Sequence, residues 1–286
     1  MPLATFAERR QQLRDLLEAQ AITFPGSVFD ATSARLARAA GYQMGLFGGS
    51  VASAVVLGAP DLVLLTLSEF AQQVKRLTRA CDLPLMADAD HGYGNALNVG
   101  RTLQELETAG VCALSIEDTV LPRRFDGPEG ELISREEFAG KLRAAADARS
   151  DESLIIVGRT GALLRGGLDE TVARVRICQQ AGVDAIFATG VKSLDQLDAI
   201  ANACALPLFV NALPASESDL VQRRVRVVMQ GHVPYFVALK ALYDSFQFLR
   251  AGGSPDALRE DALTPELQAL ALNEQEYKNL SARYLS

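Results

Sequence analysis

Short apolar runs alternate with longer amphipathic stretches along most of the chain. The runs are apolar at nearly every position, which is typical of strands buried on both faces of a parallel sheet. Between them, apolar residues recur at helical spacing. This alternation predicts eight consecutive β–α units. The candidate strands are residues 27–30, 44–48, 83–87, 113–117, 154–158, 185–189, 206–211 and 226–230.

Helical stretches follow these strands, and several end at Ala-Gly, where the glycine is a plausible left-handed cap. Two junctions, "ACDLPLMADA" (80–89) and "ACALPLFVNA" (203–212), are nearly identical, which indicates a unit repeated around a closed structure. The pattern favours a (β/α)8 (TIM) barrel. An open doubly wound sheet is the alternative, disfavoured because neither GxGxxG after the first strand nor GxxxxGK[ST] occurs. The candidate helices are residues 31–40, 67–81, 95–109, 135–149, 168–181, 192–204, 216–223 and 234–250.

The two ends of the chain extend this barrel. The first 20 residues form a charged amphipathic pattern typical of a helix and unlike a signal peptide. Residues 251–286 begin with "AGGSPDAL", which indicates a hinge followed by two short helices. Nothing indicates a separate domain, so we expect residues 1–286 to form one barrel domain with a C-terminal helical tail.

Composition agrees with this picture and excludes several classes of function. The 286 residues are 49% hydrophobic and include no Trp, which suits helices packed on a parallel sheet. A net charge of −7 with scattered Lys and Arg argues against nucleic acid as a partner. The absence of a long apolar run argues against a membrane span. Four cysteines without a CxxC spacing predict free thiols and a cytoplasmic location.

Polar side chains gather at one end of the predicted strands. In such barrels the carboxyl ends of the strands form the active site, and here each of them carries a charged or hydrogen-bonding residue. The opposite ends are mostly Gly, Ala, Leu and Pro. The residues at the carboxyl ends are Asp30, Ser50, Asp88, Asp90, Glu117, Asp118, Arg159, Thr189, Asn211 and His232.

Three of these acids predict a metal site. Asp88, Asp90 and Glu117 end adjacent strands, and residues two apart on a strand face the same side. Mg²⁺ suits this set because it keeps several waters and takes one or two carboxylates from the protein. Alternatively, Asp90 or Asp118 taken alone caps the helix that follows.

The remaining polar ends suggest an anion site. Arg159 follows an apolar strand and needs a negative partner, either Glu117 as a structural bridge or a substrate carboxylate. "GGS" at 48–50 offers backbone N–H groups and a hydroxyl, although it is also an ordinary turn. His232 lies at the active end, whereas the role of His91 is open. The polar loop 119–134 is a candidate lid or a plain surface loop.

Several motifs together resemble those of the isocitrate lyase/phosphoenolpyruvate mutase superfamily. The resemblance covers about residues 25–250, and within the superfamily it is greatest to the Mg²⁺-dependent oxaloacetate decarboxylases. The motifs are "GGSVAS" (48–53), Asp61 in "GAPD", "DADHGYGN" (88–95), "SIED" (115–118), "GRT" (158–160) and "QGH" (230–232).

The resemblance implies roles for particular residues. Asp88 would contact Mg²⁺ directly, with Mn²⁺ as a possible substitute. Asp61, Asp90 and Glu117 would support the ion mainly through waters. Substrate would be bound by the residues Gly49, Ser50, Arg159, Asn211 and His232. The resemblance also implies a homotetramer in which a C-terminal helix, within 251–286, is exchanged between subunits.

The chain departs from the superfamily pattern in two places. Lyases of the superfamily carry a lid motif, Lys-[Lys/Arg]-Cys-Gly-His, whose cysteine acts as an acid/base. The corresponding loop here contains "LPRRFDGPEG", without Cys or His, which favours decarboxylation because departing CO2 needs no proton. Asn211 in "LFVNALP", in contrast, is more like the lyases than the decarboxylases.

We therefore expect Mg²⁺-dependent decarboxylation of oxaloacetate, or a close 2-oxo dicarboxylate, to pyruvate and CO2 through a metal-stabilised enolate. Arg159, Ser50 and His232 would orient the acid. A carbon–carbon lyase acting on a substituted malate or methylisocitrate is one alternative, and carbon–phosphorus cleavage of phosphonopyruvate is another. A barrel that binds a dicarboxylate without turnover is a third.

Overall fold

A computed structural model describes residues 3–260 and 262–285 and shows eight parallel strands paired in sequence order. Just before the first strand, the Thr23 N–H donates to the Arg226 carbonyl at 2.8 Å, and the Val228 N–H donates to the Thr23 carbonyl at 3.1 Å. This bridge joins the last strand to the beginning of the first and closes the sheet. The predicted (β/α)8 barrel is confirmed.

The strands occupy the predicted places, although most are shorter at their ends. They are β1 Gly26–Ser27, β2 Gly45–Phe47, β3 Leu85–Asp88, β4 Ala113–Glu117, β5 Ile155–Thr160, β6 Ala185–Ala188, β7 Leu208–Asn211 and β8 Val225–Met229.

The helices also follow the predicted order, with two additions. Helix α3, which begins directly after β2, and the short α7 were not predicted from the sequence. The helices are α1 Phe6–Glu18, α2 Ala31–Ala39, α3 Gly49–Leu57, α4 Leu67–Ala80, α5 Ala96–Ala109, α6 Arg135–Ala148, α7 Ala162–Arg165, α8 Gly167–Gln180, α9 Leu194–Ala203, α10 Glu217–Gln222, α11 Val233–Arg250, α12 Pro265–Ala271 and α13 Glu274–Tyr284, with a 3₁₀ turn at Pro255–Glu260.

Helix α3 escaped the pattern analysis because it is apolar on nearly every face. Val51, Ala52 and Ser53 are all buried, so no polar stripe marks the helical period. The helix ends at Gly58, whose φ of 63° is the left-handed conformation that glycine adopts easily. The "GGS" segment is therefore the start of a helix and not only a turn.

Alternate residues of the strands fill the barrel interior and the layer under the helices. Met86, Ile155 and Val157 point inward, while their strand neighbours pack against the helices. Helix α1 closes the amino-terminal end of the barrel with Leu13 and Leu17, which pack into the interior cluster. The barrel is thus filled below and open only toward the carboxyl ends of its strands.

Two arginines hold α1 in that position. Arg10 Nε donates to the Val111 carbonyl at 2.9 Å, at the amino end of β4. Arg14 donates to the Leu154 carbonyl at 3.2 Å and pairs with Asp184 at 2.9 Å. The charged face of the predicted N-terminal helix therefore binds the ends of three strands.

The C-terminal part behaves differently from the other helices. Of the side chains of α11, Tyr235 alone is buried, and most of its large apolar residues are exposed. Further on, α12 returns to the barrel, where Arg35 Nη1 donates to the Ala271 carbonyl at 2.9 Å. The exchange of a helix from this region between subunits stays a prediction.

Two further expectations concern the chain as a whole. No helix in the described ranges is long and apolar enough to span a bilayer. The four cysteines are free thiols, and all but Cys204 are buried.

The contribution of α1 is testable at Leu13, which is fully buried. We expect Leu13→Ala to lower the free energy of unfolding by about 2–5 kcal/mol, because it leaves a cavity in the barrel interior. Leu97→Ala is the matched control, since Leu97 is 85% exposed and its loss should change stability by about 0.5 kcal/mol or less. Urea unfolding measures both, and equal stability of the two variants would contradict the assigned role of α1.

Candidate active site

A cavity of about 340 Å³ opens at the carboxyl ends of the strands. All nine residues that the sequence and the resemblance assign to metal or substrate line it. They are Gly49, Ser50, Asp61, Asp88, Asp90, Glu117, Arg159, Asn211 and His232. Its apolar lining includes Leu46, Met86, Phe187 and Met229. The structure therefore brings the predicted residues together, while their chemical roles stay predictions.

The register of three neighbouring strands sets the centre of the cavity. Asp88 of β3 lies opposite Ser115 of β4, and Glu117 of β4 lies opposite Arg159 of β5. The Ser115 hydroxyl donates to Asp88 Oδ1 at 2.7 Å. Ser115 was not predicted as a site residue, although its position two residues before Glu117, on the same face of the strand, was a usable signal.

Arg159 holds two of the acids. Its Nη1 bonds Asp88 Oδ2, and its Nη2 lies 3.1 Å from Glu117 Oε2. The carboxylates of Asp88 and Glu117 raise the pKa of Arg159 although burial opposes its charge. Its guanidinium carbon lies 5.7 Å from the centre of the Phe187 ring, and its buried Nε has no hydrogen-bond partner among the described residues. The structural bridge to Glu117 is present.

The acids themselves are crowded. Loss of water around Asp90, followed by repulsion from Asp88 and Glu117, raises the pKa of Asp90 well above its usual range. Burial raises the pKa of Glu117 despite the charge of Arg159. Desolvation and the charge of Asp88 also raise the pKa of Asp61. Four carboxylates thus share one guanidinium, and a bound cation would relieve the remaining negative charge.

The donor set fits a hydrated divalent ion. Among the described residues, no three His, Cys, Asp or Glu side chains lie close enough to ligate one ion together. A soft or fully protein-ligated ion such as structural zinc would need such a group. Mg²⁺ takes one or two carboxylates and keeps its waters, which suits a single direct ligand supported by further acids.

Gly49 is shaped to this acid cluster. A Cβ at Gly49 would lie 2.5 Å from Asp90 Oδ1, so a larger residue would displace the carboxylate. Gly49 and Ser50 also form the first turn of α3. The N–H groups of a first helical turn lack intrahelical partners and attract anions. The same segment therefore makes room for Asp90 and offers donors to a carboxylate.

His232 lies at the junction of β8 and α11. Its Nδ1 lies 2.7 Å from the Ser27 hydroxyl, and a Cβ at Gly48 would lie 2.3 Å from its Nε2. Burial lowers the pKa of His232, while the charges of Asp88 and Asp61 oppose that shift. The ring is therefore a largely neutral hydrogen-bonding group at neutral pH.

Other polar residues at the strand ends have structural roles. Asp30 caps α2 by accepting from the Ser33 N–H at 2.7 Å, and Thr189 donates to the Thr160 carbonyl at 3.1 Å. Asp118 is fully buried and pairs with Arg174 at 3.2 Å. Its side chain faces away from the cavity because it alternates with Glu117 along the chain.

His91 is also structural. It is buried outside the cavity lining, and Lys141 Nζ donates to its carbonyl at 3.1 Å. Burial and the nearby charge of Lys141 lower the pKa of His91 to about 4. The histidine whose role the sequence left open thus belongs to the support of the loop that carries Asp88 and Asp90.

The candidate lid has an anchored base and an exposed tip. Thr119 and Leu132 form an antiparallel bridge, and the Ile133 N–H donates to the Asp118 carbonyl at 2.9 Å. Leu121 lines the cavity, whereas Phe125 at the tip is 97% exposed. The loop is therefore placed beside the site, and its movement stays a prediction.

Comparison with known proteins agrees with this geometry. A profile of the family described as phosphoenolpyruvate phosphomutase matches residues 13–250. The chain belongs to the phosphoenolpyruvate mutase/isocitrate lyase superfamily. It is 47% identical to a protein named oxaloacetate decarboxylase from Bradyrhizobium sp. (strain BTAi1 / ATCC BAA-1182), over 98% of each chain.

Solved structures of the superfamily share the fold over nearly the whole chain. A 2,3-dimethylmalate lyase is 26% identical with a TM-score of 0.83, and 99% of each chain is covered. A phosphonopyruvate hydrolase in complex with oxalate and Mg²⁺ is 27% identical with a TM-score of 0.83, over 97% of this chain and 99% of the other. The family resemblance predicted from the motifs is confirmed.

The crowding of the acids predicts a pH-dependent stability. Because the pKa of Asp90 is raised in the folded protein, its contribution to stability is present at low pH and lost as pH rises through the folded pKa. In EDTA at pH 8, we expect Asp90→Asn to melt about 2–4 °C above the wild type for each kcal/mol of repulsion removed. The difference should vanish toward pH 4.

Asp126→Asn is the control for this measurement, because Asp126 is exposed in the loop and carries the same charge. Its melting temperature should follow the wild type at every pH. Calorimetric melts from pH 4 to 8 decide the point. A metal-free Asp90→Asn protein less stable than the wild type at pH 8 would show that the carboxylate is not under electrostatic strain.

Proposed function

We propose that this protein is a Mg²⁺-dependent carboxy-lyase that converts oxaloacetate, or a close 2-oxo dicarboxylate, to pyruvate and CO2. The observation that carries the proposal is the cluster of four carboxylates around Arg159 in one cavity. The similarity to proteins named oxaloacetate decarboxylase supports the same substrate class.

The metal role follows from the acids. Asp88 would hold Mg²⁺ directly, and Asp61, Asp90 and Glu117 would bind its waters; Mn²⁺ is a possible substitute. When bound there, the ion supplies Lewis-acid stabilisation of the negative charge that develops on a substrate oxygen. The raised pKa values of Asp90 and Glu117 support this role, because a cation returns these acids to their charged form.

The other residues bind and orient the substrate. The first turn of α3 with the Ser50 hydroxyl, together with Arg159, would receive one carboxylate. His232 and Asn211 would bind the other polar end of the substrate. Holding both ends aligns the bond to the departing carboxylate with the carbonyl π system, which is the main contribution of a fixed geometry.

The apolar lining contributes to the same step. Leu46, Met86, Phe187 and Met229 line the cavity among the polar groups. A carboxylate loses its charge as it becomes CO2, so surroundings that exclude water disfavour the charged reactant more than the neutral product. The apolar walls therefore favour bond cleavage, while the polar groups keep the two ends of the substrate in place.

The loop beside the site distinguishes this proposal from a carbon–carbon lyase. Residues 119–134 contain neither Cys nor His, so they lack the acid/base that lyases of the superfamily use. Asn211 lines the cavity and is the one feature that favours the lyase. A substituted malate and phosphonopyruvate are therefore the substrates to compare with oxaloacetate.

The proposed activity is tested by following pyruvate formed from oxaloacetate with Mg²⁺ and with EDTA. We expect turnover only with the metal. Asp88→Ala should reduce it at least ~100-fold, because a Lewis acid contributes several kcal/mol. Isothermal titration should show oxalate binding to the wild type with Mg²⁺ and not in EDTA. Asp147→Asn, at an exposed acid of α6, is the control and should match the wild type in both measurements.

Two results would contradict the proposal. One is a rate of pyruvate formation with Mg²⁺ that does not exceed the spontaneous rate. The other is an Asp88→Ala protein that keeps metal-dependent turnover. If oxaloacetate is not turned over, cleavage of methylisocitrate would indicate a carbon–carbon lyase, and cleavage of phosphonopyruvate would indicate carbon–phosphorus cleavage.

We also propose a homotetramer that exchanges C-terminal helices, in a reducing, cytoplasmic setting that suits the four free thiols. Helix α11 supports the exchange, because an apolar helix that leaves nearly all its side chains exposed needs a partner. Its exposed apolar residues are Val233, Phe236, Val237, Leu239, Leu242, Tyr243, Phe246, Phe248 and Leu249.

The assembly is tested by the mass in solution. We expect light scattering to give a tetramer for the wild type and a smaller species for Phe246→Glu, because a charge is costly in a buried apolar interface. Leu97→Glu introduces the same charge at an exposed leucine of α5 and should leave the mass unchanged. A monomeric wild type would contradict the proposed assembly.

A further inference from the structure

His232 is held from two sides in the structure. Ser27, at the end of β1, places its hydroxyl oxygen 2.7 Å from His232 Nδ1. Gly48, which precedes α3, leaves room for the other end of the ring, since a Cβ there would lie 2.3 Å from Nε2 and 2.8 Å from Cε1. The position and tilt of the imidazole are therefore set by two residues that do not line the catalytic cavity.

The charge of the cavity decides which ring nitrogen carries the proton. The ring lines a cavity that contains Asp61 and Asp88. Because Nδ1 is turned to Ser27, Nε2 is the ring nitrogen left for a partner in the cavity that His232 shares with these acids. A neutral imidazole has one N–H and one lone pair. A lone pair toward carboxylates would be repelled, whereas an N–H attracts them, so Nδ1 accepts and the Ser27 hydroxyl donates.

From this geometry we infer that Ser27 is a positioning residue, which donates to His232 Nδ1 and holds the Nε2–H of the neutral ring toward the substrate. The catalytic consequence of this arrangement rests on the proposed function, whereas the arrangement itself does not. The nitrogen that receives a hydrogen bond determines where the imidazole proton lies, and a fixed tautomer determines what the ring can bind.

The local structure supports a dedicated role for Ser27. Its neighbour Val28 is fully buried under the helices, and alternation along the strand turns Ser27 to the other side. Among the described residues, the Ser27 hydroxyl makes no side-chain hydrogen bond other than the one to His232. Gly231, with a φ of 74°, turns the chain just before His232.

A matched pair of variants isolates the hydroxyl. Ser27→Thr keeps the hydroxyl donor. Ser27→Val has the shape of threonine but lacks the hydroxyl. We expect Ser27→Val to lower kcat/KM about 5- to 20-fold, the range that one lost hydrogen bond allows. Ser27→Thr should stay within about 3-fold of the wild type. A loss of the same size in both variants would overturn the inference, because it would reflect shape and not the donor.

A double-mutant cycle then asks whether Ser27 acts through His232. In a His232→Phe background, which keeps a ring without nitrogens, Ser27→Val should change kcat/KM less than about 2-fold, because coupled residues are not additive. A purely structural serine would show the full loss in both backgrounds. That additive result would overturn the inference.

A measurement without turnover separates this inference from the proposed function. The chain has two histidines, so ¹⁵N-histidine NMR gives two sets of ring signals, and His232→Phe identifies the one from His232. Near pH 8 we expect the wild type and Ser27→Thr to show the Nε2–H tautomer with the same Nδ1 shift. Ser27→Val should show a displaced Nδ1 signal.

Two spectra would overturn the inference whatever the reaction is. One is a wild-type His232 that carries its proton on Nδ1. The other is a Ser27→Val spectrum in which the His232 signals are unchanged. If oxaloacetate is not turned over but the spectra are as expected, the proposed function fails and the positioning of His232 by Ser27 stands.

Discussion

One electrostatic constraint organises the candidate active site: four carboxylates lie around the single guanidinium of Arg159 at the open end of the barrel. Arg159 bonds Asp88 and Glu117, and the pKa of Asp90 and of Glu117 is raised by burial and by neighbouring charge. Crowded and partly buried carboxylates are unfavourable unless a further positive charge neutralises them. The barrel beneath provides the rigidity that keeps the acids in place: α1 closes the lower end, and the register of β3, β4 and β5 aligns the side chains.

Neighbouring residues make room for this acid cluster and support the backbone that carries it. Gly49 makes room for the Asp90 carboxylate and begins the helix whose first turn offers N–H donors to an anion. Lys141 supports the backbone beyond Asp90 by donating to the His91 carbonyl. Asp118 takes no part in the cavity and is paired with Arg174 below the loop 119–134. Glu117 and Asp118 are neighbours at the end of β4 and have different roles. Because side chains alternate along a strand, Glu117 points into the cavity and Asp118 points toward the surrounding helices.

Much of this could be predicted from the sequence, since it depends on local patterns. Apolar runs ending in Asp or Glu predicted where β3 and β4 emerge, and the repeated junctions predicted closure. Helix α3 was not predictable in this way, because a helix buried on most faces lacks the polar stripe that reveals its period. The pairing of Ser115 with Asp88 and of Ser27 with His232 depends on strand register and on closure of the barrel, which single-chain patterns do not specify. The exposure of α11 could not be predicted either. Its apolar residues indicate a buried surface but do not show whether the same chain or another one covers it.

We have proposed that the acid cluster holds a divalent cation beside an anionic substrate. A crystal structure of the protein grown with Mg²⁺ and oxalate tests it most directly. We expect one metal ion within about 2.0–2.1 Å of an Asp88 oxygen, waters between the ion and Asp61, Asp90 and Glu117, and oxalate against Ser50 and Arg159. A structure at saturating Mg²⁺ and oxalate in which Asp88 still bonds Arg159 and Ser115, with neither ion nor oxalate in the cavity, would contradict it.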